Sequence, residues 1–431
     1  MVTPFESVMS SNLMRMTRIT PFESDNEGRY YSLWCSNTVY EVLPYCQYSL
    51  HCSMLYGACT QASIRHAVIA LAALHEASMA AKHARSQSFD HLGLVATRHH
   101  RNAIEHYGKS IHIMRRAIAS GDQDIRSTLV ACFITFGFEA FHGDLALSVA
   151  QIRSGIALIE DWKKNYLFHG GVEPDDEVIG TFLCLEIQII SFLDRRPLEN
   201  HAESRTAYVD RLRSMARPFS SMWEATKYFY IVIKHQEHFL HLAKGLLKRC
   251  QELGEEHAAE REKLYNEVKS YQAHHIAELD QWKASYYPLI ANIDFSSNVG
   301  HDEDTIARAM YIRLHLIHST TVLETVFATD EAIYDKYTTE FSMMVSDAAE
   351  LKGLTEYKSM STNWTFDLSA VLPLYFIATK CRVRRIRNQA LENLNRGPRR
   401  EGIWDNLLIR NMVAWIQSIE EEFCGGISEV Y

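Results

Sequence analysis

The stretch from Ser127 to Glu160, STLVACFITFGFEAFHGDLALSVAQIRSGIALIE, constrains the fold more than any other. Between Arg126 and Asp144 the only acid or base apart from His142 is Glu139. Leu129, Val130, Cys132, Phe133, Ile134, Phe136, Phe138 and Phe141 make this run apolar on every side. It is too long for one buried strand and too short to span a bilayer, so it predicts a buried helix. Gly143 predicts its stop. Asp144 predicts the next cap, because a carboxylate accepts from the free N–H groups of a first turn. Val149, Ile152, Ile156 and Ile159 then recur at steps of three and four and share one face. Lys163 and Lys164 suit the negative end of that second helix. The expectation is an antiparallel helical hairpin whose first arm is almost wholly apolar.

The rest of the chain points the same way. Nine Pro and nineteen Gly are few for 431 residues, and helix interiors exclude both. Periodic segments predict helices over 62–84, 98–119, 177–193, 221–250, 304–327 and 330–351. A further segment over 364–394 precedes a last helix over about 401–423. The polar stretch 252–282 predicts an exposed helix, and 286–299 a loop around Pro288. Gly170, Gly171 and Pro174 make 168–176 the clearest internal loop. The expected fold class is all-α, a large multi-helix domain of stacked antiparallel helix pairs. The expected division is a mobile N-terminal tail over 1–30, an N-terminal helical lobe over 31–168 and a C-terminal helical lobe over 177–431. Within the tail, Thr3–Ser7 (TPFES) recurs as Thr20–Ser24.

Composition narrows the class. With 44 Lys and Arg against 53 Asp and Glu, the net charge is −9, which argues against direct nucleic-acid binding through a surplus of cations. Nine cysteines, most inside apolar runs, read as reduced core thiols of an intracellular protein. No basic-then-apolar leader is seen at the start, and no run reaches the roughly 18 apolar residues of a membrane span.

The residues with chemical potential each have a plainer reading. His235, His238 and His241 stand three apart, but each step of three drifts about 60° around a helix, so the set diverges and no metal ligand is assigned. Asp175, Asp176 and Glu177 read as acids at a helix start rather than a Mg²⁺ cluster. Glu139 is expected to pair with Arg153 or His142. Lys380, Arg382, Arg384, Arg385 and Arg387, with Arg396, Arg399 and Arg400 beyond, form a basic cluster. It reads as the solvated side of a helix whose Val383 and Ile386 face inward; a nuclear-import or nucleic-acid patch is the competing reading. No nucleophile elbow, phosphate loop or dinucleotide fingerprint occurs, so no catalytic, cofactor-binding or metal residue is assigned.

Two groups of segments carry a resemblance. The first is AVIALAALHE at Ala67–Glu76, HYGKSI at His106–Ile111, FEAFHGD at Phe138–Asp144 and SGIAL at Ser154–Leu158. The second is FDL at Phe366–Leu368, PLYFIATKCR at Pro373–Arg382 and PRREGIW at Pro398–Trp404. In this order they resemble the fungal-specific regulatory domain of six-cysteine zinc-cluster transcription factors, over about 34–422. The resemblance implies one continuous helical regulatory domain over 31–431 in a nuclear protein, not an enzyme. Such a domain responds to partners, including other transcription regulators or a second copy, or to a small hydrophobic effector. Some relatives control secondary metabolism. The zinc-cluster arm is what this sequence lacks: residues 1–34 contain no Cys and no Cys-x2-Cys pair occurs, so six thiolates cannot bridge two Zn²⁺ ions. The expectation is a regulator-like protein without its own zinc-cluster DNA reader. The alternatives are a helical small-molecule binding protein and, third, an all-α enzyme.

Overall fold

The computed structural model of the chain describes residues 22–43, 48–87, 90–120, 124–164, 176–194, 196–291, 293, 303–356, 364–366, 369–396 and 400–423. Among them strand is confined to three two-residue segments, Trp364–Thr365, Arg400–Glu401 and Trp404–Asp405; the fold is all-α. The chain forms two compact units. One holds the residues up to Phe182 together with 359–366, and the other Leu183–Lys358 with Asp367–Tyr431. The expected break at 168–176 lies, but for Asp176, outside the described residues, and the units divide at 182/183 instead.

The first unit contains α1 (Asp25–Leu33), α2 (Val39–Val42), α3 (Tyr48–Thr60), α4 (Ala62–Gln87), α5 (Asp90–Ser120), α6 (Ile125–His142) and α7 (Leu145–Lys164), and takes the start of α8 (Asp176–Leu193). The first copy of the TPFES repeat lies outside the described residues. In the second copy, Ser24 caps α1 by accepting from the Glu27 N–H. The tail expected to run to residue 30 is therefore corrected over 25–30. Glu27 and Tyr30 are buried there, because α1 lays one face on α4.

The hairpin at the centre of the sequence reading is present as α6 and α7. Asp124 Oδ1 accepts from the Ser127 N–H at 2.9 Å, Gly143 ends α6 at φ 106°, and Asp144 Oδ1 accepts from the Leu147 N–H at 2.9 Å. The left-handed φ is the conformation glycine adopts without a Cβ clash. Every residue from Thr128 to Ala140 is buried. One reason lies far along the chain: Phe366 stacks on Phe133 with ring centroids 4.1 Å apart, and its N–H donates to the Val42 carbonyl at 2.8 Å. A Cβ on Gly137 would clash with the edge of the Phe366 ring, at Cζ and Cε1, so glycine is what lets the ring seat there. On α7, Ile152 and Ile159 are buried, with Val149 and Ile156 half-buried beside them.

The second unit continues from α8 into α9 (Leu198–Ser204), α10 (Val209–Arg213), α11 (Met222–Glu252), α12 (Ala258–Ile290), α13 (Glu303–Glu324), α14 (Thr338–Glu356), α15 (Val371–Lys380), α16 (Arg384–Arg396) and α17 (Asn406–Phe423). Two expectations are corrected here. The polar helix is not simply exposed: α12 packs on α11, burying Val268, His275, Leu279 and Trp282, with Trp282 Nε1 donating to the Ala225 carbonyl at 3.0 Å. Nor does a loop begin at Tyr286, since α12 runs through Pro288 to Ile290. Buried Tyr286 stacks on Trp282 at 4.6 Å, which offsets the one hydrogen bond a late proline cannot donate. The expected last helix starts at Asn406; before it, Arg400–Glu401 pairs antiparallel with Trp404–Asp405 around Gly402 at φ 56°. This hairpin sets the Glu401 carboxylate beneath α15, where one oxygen accepts from the N–H groups of Ser369, Ala370 and Val371 at 2.8, 3.0 and 3.0 Å. No helix among the described residues is long and apolar enough to cross a membrane.

Candidate functional site

An open groove of about 550 Å³ lies between α5, α6 and α7 in the first unit. Ile111 and Met114 line it from α5, Cys132 from α6 and Leu158 from α7, while Arg115 and Asp161 bring charge of either sign. Helical spacing explains the α5 wall: Ile111, Met114, Arg115 and Ile118 fall at steps of three or four and so share a face. Ile118 is 52% exposed and Leu158 36%, so apolar surface stands open to water along the groove. A cleft of this size, with apolar Ile111, Met114, Ile118 and Leu158 set among polar Thr128, Gln151 and Ser154, suits a small amphipathic molecule.

Glu139 lies elsewhere on α6, and its hydrogen-bond partner is neither of the two expected. Arg153 stands exposed on α7, and His142 acts on Glu139 only through its charge. The Tyr107 hydroxyl of α5 donates to Glu139 Oε1, and the Tyr107 ring stacks on Phe138 with centroids 4.4 Å apart. Burial pushes the Glu139 carboxyl up, and the Tyr107 hydrogen bond offsets part of that rise. A neighbour on another helix leaves no local spacing signal, which is why the sequence hides this pair.

In the second unit a buried polar network centres on Glu186 of α8. Its carboxylate meets Lys234 Nζ at 2.7 Å and Arg196 Nη1 at 3.0 Å, with His238 Nε2 at 3.7 Å. Burial alone would raise the Glu186 pKa; the Lys234 charge, with the His238 and Lys234 contacts, outweighs it and holds the carboxyl far below the usual range. Arg196 also pairs with Asp194. The network is matched in charge, which is how buried ions are tolerated.

One turn along α11, Glu237 lies against a small cavity of about 20 Å³, measured as space open to a water centre and large enough for one water. Ile187, Tyr311, His315, His318 and Ser319 also line it. Burial pushes the Glu237 carboxyl up to about 7, with no charge or hydrogen bond among the described residues offsetting it. Burial, with His315 nearby, pulls the His318 imidazole down to about 3. Between about pH 3 and 7 a protonated carboxylic acid and a neutral imidazole thus line one cavity.

Two of the three histidines of α11 share His201, which stacks on His241 with ring centroids 4.8 Å apart and also meets His238. His238 Nδ1 meets His201 Nδ1 at 3.0 Å, and His241 Nε2 donates to the Ile190 carbonyl at 2.8 Å. His235 Nε2 donates to the Ala207 carbonyl, and its Nδ1 lies 3.2 Å from Glu278. Glu278 also meets His275 at 3.0 Å and exposed His274 at 3.5 Å. Burial would raise the Glu278 carboxyl, but the His235 and His275 hydrogen bonds hold it down at about 2.

Of the acidic triplet, Asp175 lies outside the described residues, and α8 begins at Asp176. The basic cluster is largely paired. Lys380 binds Glu331 at 2.7 Å, Arg382 binds Asp335 at 2.9 Å, Arg387 binds Glu420 at 2.6 Å and Arg400 binds Asp405 at 2.9 Å. Arg385 and Arg396 are exposed, Ile386 is buried and Val383 is half-buried; Arg399 lies outside the described residues. Cys35, Cys52, Cys59, Cys132, Cys184, Cys250 and Cys381 are free thiols, while Cys46 and Cys424 lie outside the described residues. Compared with known protein families, curated proteins and solved structures, the chain matches none.

Proposed function

We propose that this chain is a transcription-regulator-like helical protein, acting in the nucleus through partner regulators and a small hydrophobic effector rather than by catalysis. The observation that carries the reading is the α5–α6–α7 groove. Its walls draw on two of the segments that bear the family resemblance: Ile111 closes His106–Ile111, and Ser154, Ala157 and Leu158 belong to Ser154–Leu158. Its volume falls in the range of roughly 300–1,000 Å³ usual for small-molecule sites. The effector would lay an apolar body along Ile111, Met114 and Leu158 and place a polar end at Arg115. The nuclear setting, the partner regulators and a role in secondary metabolism rest on the resemblance alone. So does action without a zinc cluster in this chain, since no Cys-x2-Cys pair occurs in the sequence.

A thermal-shift screen with fatty acids, sterols and secondary metabolites tests the effector. A ligand held by the native state raises the melting temperature, and Leu158→Asp at the groove wall should abolish the rise. A pull-down from nuclei tests the partners. No shift with any compound, together with no regulator recovered, overturns the reading.

A further inference from the structure

In the first unit, away from the groove, three helices bring ligand-type side chains to one buried point. Glu27 of α1, His66 of α4 and His106 of α5 each offer one ligand atom, and the three atoms lie within 4.8 Å of one another. All three residues are buried. His66 Nδ1 and His106 Nδ1 are 3.1 Å apart, and His106 Nδ1 is 3.9 Å from Glu27 Oε1. We propose that Glu27, His66 and His106 form a binding site for a divalent cation of the zinc class, a site that ties α1 to the α4–α5 pair.

The donor set is the first argument. Two imidazole nitrogens and one carboxylate oxygen are ligands that Zn²⁺ and Co²⁺ accept, and hard cations such as Mg²⁺ prefer oxygen alone. The spacing is the second. Around a tetrahedral Zn²⁺ with bonds of about 2.0–2.1 Å, ligand atoms stand about 3.3 Å apart. The two imidazoles are already near that separation, and Glu27 Oε1, 3.9 Å from His106 Nδ1, has to close toward both histidines. Orientation is the third. Glu27 Oε2 accepts from the Glu23 N–H at 2.7 Å, which fixes the carboxylate and leaves Oε1 toward the histidines. Beside it, Ser110 Oγ donates to the Ser63 carbonyl at 2.8 Å, pinning α5 to α4 three and four residues from the two imidazoles.

Charge is the fourth argument. Lys109 Nζ lies 4.0 Å from Glu27 Oε1, a cation that by itself would oppose a metal ion. The same ammonium is 3.1 Å from Glu23 and 3.3 Å from Glu105, so three carboxylates face Lys109 and, near His66, the charge of Arg65, and the site keeps a net negative charge toward a dication. The sequence conceals the set, and no metal ligand was expected of it. The three residues sit on three helices, with 40 positions between His66 and His106 alone. The competing arrangement is a plain His66–His106 hydrogen bond with Glu27 beside it. This proposal is independent of the effector groove.

The test uses the full-length chain, stripped of metal with a chelator and titrated with Co²⁺ and then Zn²⁺. One equivalent of Co²⁺ should bind with the visible ligand-field bands of four-coordinate cobalt, and Zn²⁺ should displace it and raise the melting temperature. His66→Ala, His106→Ala and Glu27→Gln should each weaken binding at least tenfold. His274→Ala, which alters the His274–His275–Glu278 cluster, should leave it unchanged. If a variant fails to fold, histidine ¹⁵N NMR of the wild type decides: Zn²⁺ must perturb Nδ1 of His66 and of His106. No metal uptake by the wild type, uptake that survives the His66 and His106 substitutions, or uptake abolished by His274→Ala would overturn the site.

Discussion

Glu237→Gln should stabilise the protein at pH 8 and have a much smaller effect at pH 5. Burial pushes the Glu237 carboxyl from an ordinary 4.5 up to about 7. Between those values the folded chain holds a proton that the unfolded chain has released. Stability from this group is therefore complete below about 4.5 and falls as pH rises through 7. Each pKa unit corresponds to about 1.4 kcal/mol, so the full excursion is on the order of 3 kcal/mol. Glutamine cannot ionise, and whatever packing cost it carries is the same at every pH. Urea denaturation of both proteins at pH 5, 6, 7 and 8 measures the difference. The variant should gain on the wild type by roughly 2–3 kcal/mol between pH 5 and 8, the rest of the excursion lying below pH 5. His318, pulled down to about 3, gives a slope of opposite sign below 6.5, but both proteins carry it and it cancels. A stability difference independent of pH, or a Glu237 carboxyl that titrates near 4.5 by ¹³C NMR, would refute the reasoning.

Three further outcomes follow from the packing. Gly137→Leu puts a side chain where the Phe366 ring lies and should cost about 1–3 kcal/mol or more, read as a lower melting temperature by circular dichroism. Glu186→Ala strips the buried Lys234 ammonium of its partner and should cost about 3–5 kcal/mol in urea denaturation; Lys234→Met in the same chain should recover part of the loss. Glu401→Ala leaves three N–H groups at the start of α15 without their carboxylate and should cost about 1–3 kcal/mol, with amide exchange at Ala370 and Val371 speeding up by NMR.

What the sequence disclosed was local. The α6–α7 hairpin was legible because its signals sit within a few residues of one another: an apolar run, a glycine to stop it, an aspartate to restart it. The same holds for α4, α5 and α11, whose stripes recur at helical steps. Where the deciding partner comes from another element, the reading failed. Tyr107 for Glu139, α11 under the polar α12, and Tyr286 stacked on Trp282 to carry a helix through Pro288 are all of this kind. The histidines of α11 show the middle case. Helical geometry spreads them around α11, but it did not foretell that His201 would reach both His238 and His241, that His238 would meet Glu186 or that Glu278 would gather three imidazoles. The groove was invisible as a groove, although its α5 wall lies within the segment 98–119 that the periodicity marks as a helix.

The seating of Phe366 on α6 bears on how the chain is made. A nascent chain can form α6 and α7 soon after residue 164 leaves the ribosome, yet the ring that covers Phe133 and Gly137 is some two hundred residues from being translated. Until then a greasy surface of the first unit stays uncovered, and native closure has to wait for a contact of very long sequence separation, the kind that slows folding and invites aggregation. Premature stop codons anywhere before that phenylalanine would therefore damage the amino-terminal unit as surely as the one they visibly remove.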